Sequence, residues 1–307
     1  DPACPNDEFN RPDTTGEDTL CQFNYAKTSS GSPAVNQLGL MAKFDHKIND
    51  KVNLFGLVKD SRRSTRWNFA PVPQNVEITD PASVAAIKSA LGPAGDAIGT
   101  TADDGVLVFY RTKELGTRNS LIEEKNTYGV VGLNGTLGNW DWEYAFSKGR
   151  NWRYDLGISG YWLKSKFNNL IATGAYNPFD PNRSNTALAS ALHKPWAVES
   201  SELVSQNFSI SGAVGELAGG DIGLAVGISK VEESYRIVAD DQTLLKDVSG
   251  SSASLGQGSR DFSSIFAEIG LPFTKEFEVD FAARYDEYSD VGGKATPRLA
   301  LKYKLPM

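Results

Sequence analysis

The sequence has 307 residues, a net charge of −7 at pH 7 and a mean hydropathy of −0.34. No apolar run approaches the roughly 20 residues that a membrane helix needs, which excludes a helical membrane protein. The lack of a long basic run argues against nucleic acid as a partner. A β-barrel membrane protein is not excluded, because its strands carry a much weaker hydropathy signal.

The N-terminal residues 1–34 are rich in Pro, Asp, Asn, Thr, Ser and Gly, which predicts an irregular polar loop with a short strand at 20–25. The two cysteines of the chain, Cys4 and Cys21, both lie in this segment. An even count in an exported protein favours one disulfide that closes the loop. Two free, buried thiols are the alternative.

From residue 35 onward, apolar and polar residues alternate in a series of short runs. Successive side chains point to opposite faces of a strand, so each run has one mostly apolar and one mostly polar wall. The pattern predicts nine or ten strands, at 35–45, 52–66, 106–113, 125–137, 140–154, 203–216, 222–238, 262–271, 277–286 and 297–304.

The connections between these strands alternate in length. Short turns are predicted near 48–51, 138–139, 218–221 and 273–276, and long excursions at 67–124, 155–202 and 239–260. Short turns at one end and long loops at the other are typical of a transmembrane barrel, whereas a soluble sandwich has evenly spaced turns.

Short helices are predicted inside the first two long excursions. The first helix spans Pro81–Leu91, with Asp80 as its N-cap and proline in its first turn. A second helical patch is predicted at 186–193.

The strongest alternation lies in residues 262–303. One wall carries Ile265, Ile269 and Phe281, and the other carries the carboxylates and guanidinium of the run FAEIGLPFTKEFEVDFAARYDEYSDVGGKATPRLALKY. This run resembles the barrel domain of TonB-dependent outer-membrane receptors, through its FAE strand, the ARYDEYSD segment, the Gly-Gly pair and the returning PRLALKY strand. The AYNPFDPN turn at 175–182 is similar to an extracellular loop motif of the same family.

The resemblance implies an all-β fold, an antiparallel transmembrane β-barrel segment with long extracellular loops that contain short helices. It implies a place in the outer membrane of a Gram-negative cell, and active uptake of a carbohydrate, peptide or siderophore–metal complex. The expected partners are outer-membrane lipid, a plug domain, the TonB–ExbB–ExbD system and an extracellular nutrient.

The sequence also departs from the family pattern, whose barrel has roughly twenty-two strands. No plug domain, no TonB-contacting box and no C-terminal strand with a terminal aromatic residue are visible. We therefore expect residues 35–307 to be a portion of a larger barrel and residues 1–34 to be an extracellular loop.

Two clusters of cations and aromatic rings are candidates for ligand binding, because guanidinium groups bind anions and aromatic rings stack on flat ligands. The alternative, which the pattern favours, is a strand end whose cations meet the charged outer leaflet and whose aromatics form an interfacial girdle. The candidates are Arg62, Arg63, Arg66, Trp67 and Phe69 in the first cluster, and Trp152, Tyr161 and Trp162 beside Arg150, Arg153 and Tyr154 in the second, with Phe179 in the Asn-Pro turn.

No set of residues predicts an enzyme, a cofactor or a metal site. His46 and His193 match no metal-ligand spacing, and Asp240-Asp241 lacks a calcium-loop pattern. The polar wall of the last hairpin, with Glu278, Asp280, Arg284 and Asp286, is expected to contact the plug. The alternatives to active uptake are a passive porin or adhesin barrel and a soluble β-rich binding module.

Overall fold

The computed structural model describes residues 8–12, 19–91, 105–178 and 184–305. Strands dominate this part of the chain, with three short α-helices in the connections. The elements in chain order are β1 (Glu8–Pro12), β2 (Thr19–Phe23), β3 (Ala34–Asn49), β4 (Val52–Phe69), β5 (Pro73–Ile78), α1 (Pro81–Leu91), β6 (Val106–Arg111), β7 (Arg118–Leu137), β8 (Trp140–Ser159), β9 (Tyr161–Leu163), α2 (Lys164–Ala172), β10 (Leu192–His193), β11 (Trp196–Leu217), β12 (Gly220–Ala239), α3 (Asp241–Leu244), β13 (Val248–Ser249), β14 (Gly256–Pro272), β15 (Phe277–Tyr288) and β16 (Gly292–Tyr303).

Nine of the strands form one antiparallel sheet. The order across the sheet is β3, β4, β7, β8, β11, β12, β14, β15, β16, so neighbours in the sheet are also neighbours along the chain once the loop strands are set aside. The predicted barrel segment of nine or ten strands is confirmed. The sheet does not close on itself, because β3 and β16 lie at its two edges.

The two faces of the sheet differ in chemistry. Cross-strand partners share a face, so the pairing of Phe208 with Ile228 and of Ile228 with Ile265 places these residues together on one side. On this apolar face Ile228 is 55% exposed and Ile265 58% exposed. The next row along the strands, on the opposite polar face, contains Asn207, Ser229, Ser264 and Asp286. Exposed apolar rows that cross several strands mark a surface for contact with lipid or with another protein.

Aromatic side chains lie over glycines on neighbouring strands of the sheet. A Cβ atom added at Gly227 would collide with the ring of Phe266, and one at Gly132 would collide with the ring of Phe55. The glycine leaves the space into which the ring packs, which fixes the local register of the two strands.

Several strands extend beyond the bounds predicted from the sequence. β7 begins at Arg118 instead of residue 125, β11 at Trp196 instead of 203, and β16 at Gly292 instead of 297. The apolar–polar alternation is lost at these ends, because apolar Leu121 and Ile122 are adjacent in β7 and Trp196, Ala197 and Val198 follow one another in β11. The backbone hydrogen bonds, which do not depend on side-chain polarity, continue the ladder.

The predictions for the loops have mixed outcomes. The helix at Pro81–Leu91 is confirmed, and Asp80 accepts hydrogen bonds from the Ser83 backbone N–H at 2.9 Å and from its hydroxyl at 2.8 Å. The patch at 186–193 is instead one short 3₁₀ helix, Ala187–Ala191, followed by β10. Within residues 1–34, predicted to be irregular apart from a short strand at 20–25, β2 confirms that strand, and it pairs antiparallel with the unpredicted β1.

We expect Gly227→Ala to destabilise the sheet by about 1–3 kcal/mol, because the added methyl group overpacks against Phe266. Gly223→Ala is the matched control, since a Cβ at that position, on the same strand and face, meets nothing within 4 Å. The measurement is the urea midpoint of the full-length protein in lipid vesicles. Equal midpoints for the two variants would show that the aromatic–glycine contact does not stabilise the sheet.

Candidate functional site

The half of the polar face toward the short turns, which we call the lower polar face, carries charged groups and hydroxyls that are paired with one another. The carboxylate of Asp286 accepts from the Ser264 hydroxyl at 2.6 Å and from Arg284 Nε at 2.8 Å, and Arg284 Nη2 also lies 2.7 Å from Ser264 Oγ. Glu278 pairs with Lys302 at 3.0 Å. These groups present a wall whose charges are largely neutralised, which suits contact with another folded protein surface.

Closer to the long loops on the same face, a row of cross-strand partners on four strands carries charges of alternating sign. Arg63 on β4 faces Glu124 on β7, which faces Arg153 on β8, which faces Glu199 on β11. The N–O distances are 4.0 Å for Arg63–Glu124 and 3.5 Å for Arg153–Glu199, and Arg153 also contacts Asp155 at 3.2 Å. Opposite charges directly across a ladder stabilise the register of the strands.

A hollow of about 670 Å³ lies on the sheet just below this row. Most of its lining side chains belong to the polar face, and we call it the central hollow. Three of them are large and apolar or aromatic, namely Tyr128, Leu203 and Tyr235, which are 38%, 41% and 45% exposed. Its volume lies in the range of roughly 300–1,000 Å³ that is usual for small-molecule sites.

Arg260 stands at one side of the central hollow and is already neutralised. Its guanidinium forms an ion pair with Glu233, lies 3.9 Å from the carboxylate of Asp290, and stacks over the ring of Tyr288 with 5.5 Å between Cζ and the ring centroid. The hollow therefore offers an exposed aromatic and amide surface, with its one inward cation already engaged.

The described parts of the three long loops, residues 70–91, 105–117, 160–178, 184–195 and 240–255, pack together into one unit, which we call the loop cluster. Its core holds residues from the first two loops, listed as Val72, Val76, Ile78, Val84, Ile87, Val106, Trp162, Phe167, Ile171, Tyr176, Leu188 and Ala191. Trp162 is 0% exposed, packs on Phe167 at 4.4 Å between ring centroids, and donates from Nε1 to the Thr112 hydroxyl at 3.2 Å.

The third loop joins the cluster through main-chain pairing and a buried carboxylate. β13 pairs with β9, which also pairs with β10, so the second and third loops share a small sheet. Asp240 accepts from the Trp196 N–H at 3.0 Å, from the Thr243 N–H at 3.1 Å and from the Thr243 hydroxyl at 2.5 Å, and His193 Nε2 lies 2.8 Å from the same carboxylate. Burial opposes ionisation, but these hydrogen bonds outweigh it and hold the pKa of Asp240 below its usual value.

The loop cluster lies over the upper end of the polar face. The Tyr161 hydroxyl is 2.7 Å from Ser120 Oγ, and a Cβ at Gly157 would meet the ring of Pro195 at 2.7 Å. Thr65, on the polar face of β4, is buried. The central hollow therefore lies between the loop cluster and the lower polar face.

The structure separates the candidate residues that the sequence grouped. Alternation along β4 places Arg63, Trp67 and Phe69 on the polar face, where the last two rings stack at 6.0 Å, and places Arg62 and Arg66 on the other. Trp152 lies on the apolar-face side of β8 and stacks on Tyr154 at 6.1 Å.

The other candidate residues belong to the loops. Tyr161 and Trp162 are buried in the loop cluster, so their side chains support the loops in this conformation. Phe179 and Cys4 lie outside the described residues, and the predicted disulfide with Cys21 with them.

The residues of the central hollow were not singled out from the sequence, although a signal was present. Extending the apolar phase of Val131 and Leu133 backwards puts Tyr128 on the polar wall, and the phase of Val226 and Ile228 does the same for Tyr235. A large aromatic on the polar phase of a strand is the signal that pointed to this surface, and Trp67, Phe55 and Phe266 share it elsewhere on the sheet.

Metal binding has no support in the part of the chain that the structure describes, where no group of three or more His, Cys, Asp or Glu residues has the arrangement to hold an ion. Asp240 caps α3 and binds the second loop instead. Within the same ranges, no helix is both long and apolar enough to cross a membrane.

Comparison with known proteins identifies one matching family model, described as TonB dependent receptor-like, beta-barrel, over residues 90–306. No curated protein matches the sequence.

Solved structures that are similar include the RagAB peptide transporter, at 11% identity and a TM-score of 0.46, with 87% of this chain and 30% of that chain covered. A second RagAB structure, in the closed-closed state, has a TM-score of 0.48 at 11% identity and the same coverage of 87% and 30%. A mutant ferric enterobactin receptor from Pseudomonas aeruginosa, in complex with enterobactin, has 13% identity and a TM-score of 0.26, with 90% of this chain and 43% of that chain covered. The chain thus spans less than half the length of each of these structures.

We expect Trp162→Ala to loosen the loop cluster by about 3–5 kcal/mol, because it removes a fully buried ring and leaves Thr112 without that partner. The measurement is limited proteolysis of the full-length protein, with cleavage expected within 70–117 and 160–195. Trp152→Ala, outside the cluster, is the control and should keep the parent pattern. An unchanged pattern in Trp162→Ala would contradict a shared core.

The lowered pKa of Asp240 predicts how the loop cluster responds to acid. A carboxylate with a depressed pKa stabilises fully above its unfolded value of about 3.9, and the stabilisation is lost as pH falls through the lower folded value. Hydrogen exchange at the Trp196 and Thr243 amides should therefore accelerate below about pH 4, beyond its intrinsic pH dependence. Asp240→Asn should already exchange faster at neutral pH, whereas Asp241→Asn, at the neighbouring exposed carboxylate, should match the parent. Parent-like exchange in Asp240→Asn would refute the role of this carboxylate.

Proposed function

This chain belongs to the TonB-dependent receptor-like β-barrel family, and from that membership we propose that it forms part of the barrel of an outer-membrane receptor that takes up a nutrient actively. The observation that carries the proposal is the family match over residues 90–306, which includes seven of the nine strands of the main sheet. Uptake in such a receptor draws on the proton gradient through the TonB–ExbB–ExbD system.

The two faces of the sheet support this assignment. The exposed apolar rows, such as Phe208, Ile228 and Ile265, are suited to the hydrocarbon of a bilayer. On the other face, the satisfied network around Arg284 and Asp286 is suited to a plug domain inside the barrel. In this arrangement the polar face lines the lumen.

The loop cluster is the part that meets the outside of the cell. Barrels of this type have short periplasmic turns and long extracellular loops, and the short turns here lie at the end of the sheet opposite the cluster. We assign selection of the nutrient to the cluster and the polar face beneath it, including Arg63, Trp67 and Phe69. Residues 1–34 would form a further extracellular loop, closed by the Cys4–Cys21 disulfide.

No covalent chemistry is assigned to this barrel. Its proposed work is to bind a carbohydrate, a peptide or a metal–siderophore complex and to release it inward when the plug moves. A passive porin or an adhesin built on the same two-faced sheet is the alternative, and it differs in needing no energy source.

The test is accumulation of labelled nutrients by cells that carry the full-length gene and by cells that lack it. The probes are a mixture of short neutral oligosaccharides, a mixture of short peptides and a ferric siderophore preparation. We expect gene-dependent accumulation of one class and its loss when a protonophore collapses the gradient or when TonB is deleted. Gene-dependent accumulation that survives both treatments would identify a passive pore, and absence of any gene-dependent accumulation would exclude transport of these classes.

A further inference from the structure

The central hollow carries two aromatic surfaces where a wall facing water would normally carry polar side chains. Tyr128 lies against Gly149, whose added Cβ would be 3.6 Å from Cδ2 of the ring, and Tyr235 lies against Gly256 at a corresponding 3.8 Å. Each ring thus lies along the sheet beside a glycine on the neighbouring strand and remains exposed on the polar face. Leu203 stands between the two rings along the sheet and is 41% exposed.

Among the polar groups around these rings, the amides and hydroxyls are neutral and include both donors and acceptors. Asn151 Nδ2 donates to Asn126 Oδ1 at 2.6 Å, which leaves the Nδ2 donors of Asn126 and the Oδ1 acceptor of Asn151 without a further partner in the described part of the chain. Ser201 adds an exposed hydroxyl. A mixture of free donors and acceptors matches sugar hydroxyls, each of which can both donate and accept.

The charges of the hollow disfavour an anionic ligand. Its one inward guanidinium, Arg260, is engaged by Glu233 and Asp290, so two carboxylates stand against one cation. Arg150 also borders the hollow, but alternation along β8 assigns its side chain to the opposite face. A negatively charged iron chelate would meet, among the described side chains on this face of the hollow, no cation that lacks a carboxylate partner, and would lose hydration without compensation.

The dimensions fit a chain of rings better than a single small molecule. Tyr128 and Tyr235 are separated by three strand spacings and two residues, about 16 Å at the usual spacings. We propose that the central hollow binds a neutral oligosaccharide, whose rings stack on these two tyrosines and whose hydroxyls bond to the Asn126–Asn151 pair. The inference rests on the proposed uptake function, because it names the ligand class of that same lumen.

The experiment is titration calorimetry of the purified full-length receptor with malto-, cello- and manno-oligosaccharides, short peptides and a ferric siderophore. We expect binding of at least one oligosaccharide series. Tyr128→Ala and Tyr235→Ala should each weaken that binding by about tenfold, the loss expected for one stacked aromatic ring. Tyr128→Phe and Tyr235→Phe keep the ring face and should bind within about twofold of the parent.

Tyr154→Ala is the matched control, since this tyrosine lies on the same sheet but on the opposite face. It should bind like the parent, and all variants should reach the outer membrane in equal amount. Binding of oligosaccharide that is unchanged in both alanine variants would overturn the proposal. So would a receptor that binds only the peptides or only the ferric chelate.

The outcome is independent of the proposed transport. Binding to the purified receptor needs no proton gradient, so tyrosine-dependent oligosaccharide binding without gradient-driven uptake would refute active transport and leave the hollow as a sugar site. Gradient-driven uptake of a peptide or chelate that ignores Tyr128 and Tyr235 would do the reverse.

Discussion

The ladder of main-chain hydrogen bonds, interrupted only by single register shifts in three strand pairs, is the constraint on which the rest of this structure depends. A strand with one face in hydrocarbon has no water to satisfy its N–H and C=O groups, so each must pair with a neighbouring strand. The pairing of β11 with β12 and of β7 with β8 runs over nearly the full length of each strand. The edges β3 and β16 carry groups that would need the same treatment before the sheet could stand in lipid.

Because the ladder is fixed, each side chain is assigned to a face by its position alone. This is why Tyr128 and Trp152, each on a neighbouring strand of the same sheet, meet different surroundings. The apolar phase supplies the surface that we propose faces lipid, and the polar phase supplies the alternating charge row of Arg63, Glu124, Arg153 and Glu199 and the hollow below it. Function in such a protein is a property of one phase of the strands and of the loops that continue them.

Much of the sheet could be predicted from the sequence, whereas the loop cluster could not. The hairpin of β14 and β15 follows directly from the alternation of Ile265, Ile269 and Phe281, because one wall is apolar throughout. The starts of β7 and β11 were missed, since beyond the apolar band the sequence has no reason to alternate. The candidate residues Arg62 and Arg63 lie on opposite faces of β4. Their separation follows from their adjacency in sequence once the strand is known.

The contacts of Trp162 had no such signal. Its partner Thr112 is 50 positions away along the chain, and periodicity reports only on neighbours within one element. The central hollow could be predicted only in part. The face on which Tyr128 and Tyr235 lie follows from the alternation, but the position of Gly149 opposite Tyr128 follows only from the register of the strands.

The shared core of the loop cluster also bears on the order in which the protein assembles. Its members come from the first two loops, which are brought together only when β4 has met β7, β7 has met β8 and β8 has met β11. Contacts so distant along the chain carry a loop-closure entropy that is offset only after the strands have paired. The cluster should therefore be the last part to fold. A sheet with one hairpin in the wrong register would leave Trp162 and its neighbours exposed, and proteases could then distinguish misassembled molecules from finished ones.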